Sequence, residues 1–210
     1  MSEECSALHQ WFNALPRLRF PFNEENIPLN GIYVLFEKGE KAHGADRIVR
    51  VGTHTGENQL RSRLQQHFIN ENKDRSIFRK NIGRALLNKE KDPFLGQWNI
   101  DLTTKEARQK HVALIDLAKL DLIEKKVSKC LQENFSFVVF EVKDKDKRLG
   151  LESGIISTVS LCKECQPAKS WLGLFSPKEK IRESGLWLEQ ELYKKPLSDK
   201  DIQELKKVLG

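Results

Sequence analysis

The change of hydrophobic period between residues 31 and 68 constrains this chain more than any other feature. Gly31-Ile32-Tyr33-Val34-Leu35-Phe36 is a largely apolar, β-rich run of the kind that fills a buried strand. Asp46 to Thr53, built around Ile48, Val49 and Val51, reads as a second strand. The glycines and charges of Lys38 to Asp46 turn the chain between them, so the two are expected to pair as a long-looped hairpin. After Gly56 the period shifts: Leu60, Leu64 and Phe68 recur every four residues and form one apolar helical stripe.

The rest of the chain is organised around this unit. A helical stretch from Ala7 to Leu15, followed by Pro16, Pro21 and Pro28, suits a capping arm that leads into a sheet. Ser76 to Leu87 predicts a helix with Ile77, Ile82, Ala85 and Leu86 inward and Arg79, Lys80 and Arg84 available to solvent. A long helix is expected from Thr103 or Thr104 to Cys130, with Glu106 placed to complete a capping box with Thr103. Phe135 to Val142 is the clearest strand, and a charged turn from Lys143 to Arg148 leads to a helix over Leu149 to Leu161. A short last helix is entered at Ser198. The order strand, strand, helix, helical insertion, strand, helix, tail predicts an α+β fold: a small, mostly antiparallel three-stranded sheet flanked by helices. With 210 residues, one domain is expected. Its core covers 30–68 and 134–172, with a helical insertion at 69–133 and a C-terminal extension at 173–210.

Composition excludes several classes. With 39% hydrophobic and 31% charged residues the chain is neither disordered nor membrane-like, and no apolar run approaches the roughly 20 residues of a membrane span. The acidic start Met1-Ser-Glu-Glu-Cys5 is unlike a secretory signal, so a cytoplasmic protein is expected. The net charge of +6 suits a polyanionic partner without proving one. Four scattered cysteines do not make a disulfide framework.

Four side chains stand out as chemistry. Tyr33 interrupts an apolar strand, where a core tyrosine with its hydroxyl at the rim is the plain alternative. Arg63 and His67, four apart, share one helix face beside the Leu60/Leu64/Phe68 stripe; a bound anion explains cations there, as does an arginine stem packed with its head in water. Glu152 falls within a buried stripe between Leu149 and Ile156, a place for a carboxylate that is paired or bound to a metal.

Gly31-Ile32-Tyr33, then Arg50-Val51-Gly52 on the next strand, Arg63 and His67 within Arg-Leu-Gln-Gln-His-Phe, and Glu152 on a later helix together resemble the GIY-YIG nuclease family. The first motif is intact. In the second, Arg50 stands where a tyrosine is expected, and Ser170 stands where an asparagine is often found after the glutamate helix. The resemblance implies a metal-dependent endonuclease that hydrolyses DNA phosphodiester bonds. Tyr33 would be the general base, Glu152 the ligand of a single Mg²⁺ or Mn²⁺, and Arg63 the clamp on the scissile phosphate. His67 would orient the tyrosine or water, or contact phosphate. A phenol with a reference pKa of about 10 needs positive charge nearby to serve as a base at neutral pH, which Arg50, Arg63 or the metal can supply.

Contacts to DNA are expected from Arg50, from His54 and Ser170, and from Arg79, Lys80 and Arg84, since phosphate contacts dominate affinity. His54 is also readable as an exposed turn histidine. Cys162-Lys-Glu-Cys165 has zinc-like spacing, but no second Cys or His pair follows, so it reads as two ordinary thiols. Trp171 and Trp187 read as core. The alternative function is a catalytically inactive nucleic-acid-binding protein on the same fold, prompted by Arg50. Target specificity and oligomeric state are open at this level.

Overall fold

The computed structural model describes residues 2–210. Among them the sheet has four strands, one more than expected: β1 (Leu18–Arg19), β2 (Gly31–Ala42), β3 (Ala45–Gly52) and β4 (Phe135–Glu141), all antiparallel in the order β1-β4-β2-β3. The added β1 is a two-residue strand pairing Leu18 with Phe137, too short to leave a periodic signal. The α+β class stands.

The β2–β3 hairpin is tight rather than long-looped. His43 and Gly44 form its turn with φ of 51° and 73°, the left-handed pair that a two-residue hairpin turn requires. The charges that suggested a loop are instead neutralised inside the sheet layers: the Arg47 guanidinium donates to Glu40 Oε2 at 2.6 and 2.9 Å, both residues being buried. Register irregularities between Leu35 and Lys41 absorb the difference in strand length.

Nine α-helices cover the sheet among the described residues. One face carries Ile32, Val34, Val51, Val138 and Phe140 against α1 (Ser2–Ala14) and α7 (Lys145–Ser160). The other carries Tyr33, Leu35 and Phe137 against α2 (Leu60–Phe68), α3 (Ile77–Lys89) and α6 (Leu117–Asn134). The long helix expected from Thr103 to Cys130 is two helices, α5 (Lys105–His111) and α6, with a short α4 (Leu95–Asn99) before them. Asp116 divides them because its carboxylate accepts the Lys119 N–H at 3.0 Å, capping a new helix after an extended Ile115. Thr104, not Thr103, caps α5.

The C-terminal extension holds α8 (Glu179–Ser184) and α9 (Asp199–Leu209), the latter opened by a Ser198–Asp201 capping box. The stretch between them closes the exposed edge of β3, where the Trp187 N–H donates to Val49 O at 2.8 Å. Trp171 and Trp187 are core, as expected, and both indole N–H groups donate to Glu37 Oε2, at 2.7 and 2.9 Å. No helix is long and apolar enough to cross a membrane among the described residues.

Candidate active site

Tyr33 pairs with Gly52 on β3 and Val139 on β4, which fixes its side chain on the α2/α3 face of the sheet. Arg50, opposite Leu35, points to the same face two residues away. A Cβ on Gly52 would stand 2.2 Å from the Tyr33 hydroxyl, so only glycine lets the phenol lie across β3. The hydroxyl lies 2.8 Å from His67 Nε2, and Arg50 Nε donates to it at 3.4 Å. Arg50 is itself anchored by Trp187 O and lies over the Phe78 ring.

The same contacts extend into α3. His67 Nδ1 lies 2.7 Å from Ser76 Oγ, and Ser76 caps α3 by accepting the Arg79 N–H. Burial holds the His67 imidazole well below its usual titration range, reinforced by the charges of Arg63, Arg50 and Arg79. His67 is therefore neutral at pH 7 and carries one N–H to share between Tyr33 and Ser76.

Glu152 comes from the opposite layer. It sits on α7 and reaches the end of β3, where it lines a cleft of ≈ 790 Å³ together with Arg50, Thr53, Arg63 and Trp187. Burial pushes its carboxyl up to about 7, against the lowering influence of Arg50, of the Thr53 backbone N–H and of Arg63; Glu191 adds to the upward push. Arg63 is half-buried, and its guanidinium makes only two long contacts among the described residues, to Gln66 Oε1 at 3.3 Å and Arg75 O at 3.4 Å. It also borders an adjoining hollow of ≈ 250 Å³ lined by Gln59, Ser62 and Gln66, so its donors can serve a ligand from either side. Tyr33 is fully buried and communicates with the cleft through Arg50.

The other expected contacts are distributed differently. Arg79, Lys80 and Arg84 are not available to solvent: they are 0%, 8% and 9% exposed. Arg79 donates to Glu124 Oε2, to Ser128 Oγ and to the His67 carbonyl, which makes it the internal strut of α2, α3 and α6. Lys80 is paired with Asp74 at 3.1 Å. Arg84 lines the cleft but is held by the Asn81 and Asn99 side chains, with Glu189 at 3.8 Å. The insertion and tail pack over the side of α3 that carries these cations, so the sequence stripe misjudged its outer face; Ile77, expected inward, is 44% exposed instead, and Leu86 is only partly buried. His54 is 6% exposed and bridges the strand ends, with Nδ1 2.7 Å from Gly56 O and Nε2 accepting the Gly31 N–H. Ser170 is exposed in the loop before Trp171 and does not line the cleft.

Sequence reading missed Arg148. It is 1% exposed, and its guanidinium donates to the carbonyls of His54, Val142 and Lys143, which fastens the loop after β3 to the start of α7 beside Glu152. Its place in a charged run hid it, and a signal exists only in its spacing four residues before Glu152. Ser76 marks only a helix start in the sequence, yet it is the hydroxyl behind His67.

Compared with curated proteins and with solved structures, the chain has no significant match. A family model does match it: the model of the GIY-YIG domain aligns with residues 6–209, running through the insertion and the tail as well as the motif-bearing core. GIY-YIG domains are nuclease domains, and the motif residues Tyr33, Arg63, His67 and Glu152 lie around one cleft and the hydroxyl behind it. By this match over nearly its whole length, the chain belongs to the GIY-YIG family.

Proposed function

We propose that this protein is an endonuclease that hydrolyses DNA phosphodiester bonds with one divalent cation, Mg²⁺ or Mn²⁺. The observation that carries the reading is the convergence of Arg50, Arg63 and Glu152 on one cleft, with Arg50 in contact with the Tyr33–His67 pair behind it. The donor set fits a hard cation: Glu152 offers carboxylate oxygen in a partly buried place where, unpaired, it titrates near 7. A divalent ion bound there would supply Lewis-acid polarisation of a phosphate oxygen and of coordinated water.

The protein groups divide the remaining work. Arg63 holds the scissile phosphate through its planar fork and stays charged throughout. Tyr33, acting as the phenolate that the neighbouring positive charge favours, takes the proton of the attacking water and becomes the neutral phenol. His67, in the tautomer with hydrogen on Nε2, donates to the Tyr33 oxygen while Ser76 donates to Nδ1. Arg50 provides the second donor to that oxygen, and its movement onto a bound phosphate opens the hydroxyl to the cleft.

One observation favours a second reading, a catalytically inactive nucleic-acid-binding protein: Arg50 separates the Tyr33 hydroxyl from the cleft. Incubation with plasmid and branched DNA decides between them. Cleavage that requires Mg²⁺ or Mn²⁺ and disappears in Glu152→Ala and Arg63→Ala supports the enzyme. Cleavage without metal, or unaffected by either substitution, refutes it, and salt-sensitive binding with no cleavage under any metal selects the second reading.

A further inference from the structure

The Cys162/Cys165 pair, which finds no partner downstream in the sequence, finds three upstream in space. Cys5 and His9 lie four apart on one face of α1, His43 occupies the hairpin turn, and Cys165 follows α7. One ligand atom from each of these four residues lies within 4.8 Å of the other three. Cys5 and His9 are fully buried, Cys165 is 3% exposed and the His43 side chain 4%.

The contacts have the scale of a metal's coordination shell. Bonds of about 2.0–2.3 Å to zinc at tetrahedral angles set neighbouring ligands about 3.3–3.8 Å apart. Cys165 Sγ lies 3.5 Å from His9 Nε2, a spacing of that size, while Cys5 Sγ packs against the same ring at Nδ1, 3.7 Å away, within the 4.8 Å span of the four ligands. His43 Nε2 is 3.5 Å from the sulfur of Cys162, which flanks the group.

His9 also presents the arrangement of a metal-bound imidazole, with the distal nitrogen held by oxygen. His9 Nδ1 lies 2.8 Å from Cys5 O, which leaves Nε2 facing the sulfur of Cys165; the His43 ring turns Nε2 toward the sulfur of Cys162, with the Glu164 carboxylate 3.9 Å from its Nδ1. Among the described residues the lone pair of His9 Nε2 faces the Ile48 N–H at 3.2 Å and a thiol, a weak donor, and binding of an ion would replace the Ile48 contact. His43 holds its ring there at a positive φ, where glycine or asparagine is the common choice.

We propose that Cys5, His9, His43 and Cys165 bind one structural Zn²⁺. Two thiolates and two neutral imidazoles cancel the charge of the ion, which suits a buried site, whereas exchanging a histidine for Cys162 would leave a net negative centre. Thiolate and imidazole together select zinc over the hard cation of the cleft. Four protein ligands leave no open position, so the ion is a clamp and not a catalyst. It joins α1, the hairpin tip and the end of α7, about 12 Å along that helix from Glu152.

Elemental analysis of the full chain, purified without chelators from zinc-supplemented medium, is expected to give one zinc per chain, retained in Cys130→Ser and Cys162→Ser and lost in Cys165→Ser. Because the last variant can fail to fold, the wild-type protein is also loaded with Co²⁺. Tetrahedral d–d bands with thiolate-to-cobalt charge transfer support the site. Reduced wild-type protein that takes up no zinc, an octahedral cobalt spectrum, or zinc lost in Cys162→Ser but kept in Cys5→Ser overturns it.

Discussion

Arg50 Nε donates to the Tyr33 hydroxyl across the β2–β3 pair, from the position where the second family motif places a tyrosine. A cation thus stands next to the first phenol where the motif has a second one. The phenol oxygen is then shared by one guanidinium and one neutral imidazole.

Tyr33→Phe removes the atom on which both donors converge. Cleavage is expected to fall about 10²–10⁴-fold, the usual worth of general acid–base catalysis. Leaving His67 Nε2 and Arg50 Nε without that partner should cost about 1–3 kcal/mol of stability. Single-turnover rates and urea melts check this; an unchanged rate would remove Tyr33 from the chemistry.

Glu152→Gln separates function from stability. The folded carboxyl titrates near 7 and the ordinary value is 4.5, so the folded protein holds the proton more tightly. The wild type therefore loses stability as pH rises from 4.5 through 7, by at most about 3 kcal/mol. Without added divalent cations, the glutamine variant should melt several degrees higher at pH 8 and alike at pH 4.5, while cleaving nothing. A lower melting temperature at pH 8 would show that the carboxylate is paired rather than strained.

Gly52→Ala places a methyl group where the Tyr33 hydroxyl already is. Overpacking of this kind is expected to destabilise the fold by about 1–3 kcal/mol and to displace the phenol from His67. The combined Tyr33→Ala and Gly52→Ala protein should lose less stability than the two single variants together. Simple additivity in a double-mutant cycle would argue against the contact.

Two arginines on successive helices, Arg63 on α2 and Arg79 on α3, should behave oppositely toward DNA. Arg63→Gln is expected to reduce the slope of log affinity against log salt by about one phosphate contact, with little change in stability. Arg79→Gln leaves Glu124 buried without its cation and should destabilise by about 3–5 kcal/mol, yet keep the slope of whatever fraction stays folded. Equal slopes for Arg63→Gln and wild type would take Arg63 off the phosphate.

The strands β2, β3 and β4, helix α2 and the start of α9 were legible in the sequence because each carries its own period or cap: alternation or apolar runs of strand residues, the Leu60/Leu64/Phe68 stripe, the hydroxyl of Ser198. Tyr33, Arg63, His67 and Glu152 were legible as candidates through motif spacing. What tertiary structure decided is what depends on partners distant along the chain. Arg79 is internal because Glu124, 45 residues later, receives it; Glu40 and Arg47 extend a hairpin instead of breaking it because each neutralises the other. Likewise Cys165 meets His9 only after the sheet brings α1 against α7, across 156 residues. Periodicity reports which side of an element avoids water, a local property, whereas the pairing of charges and ligands is settled by which surfaces meet when the layers pack.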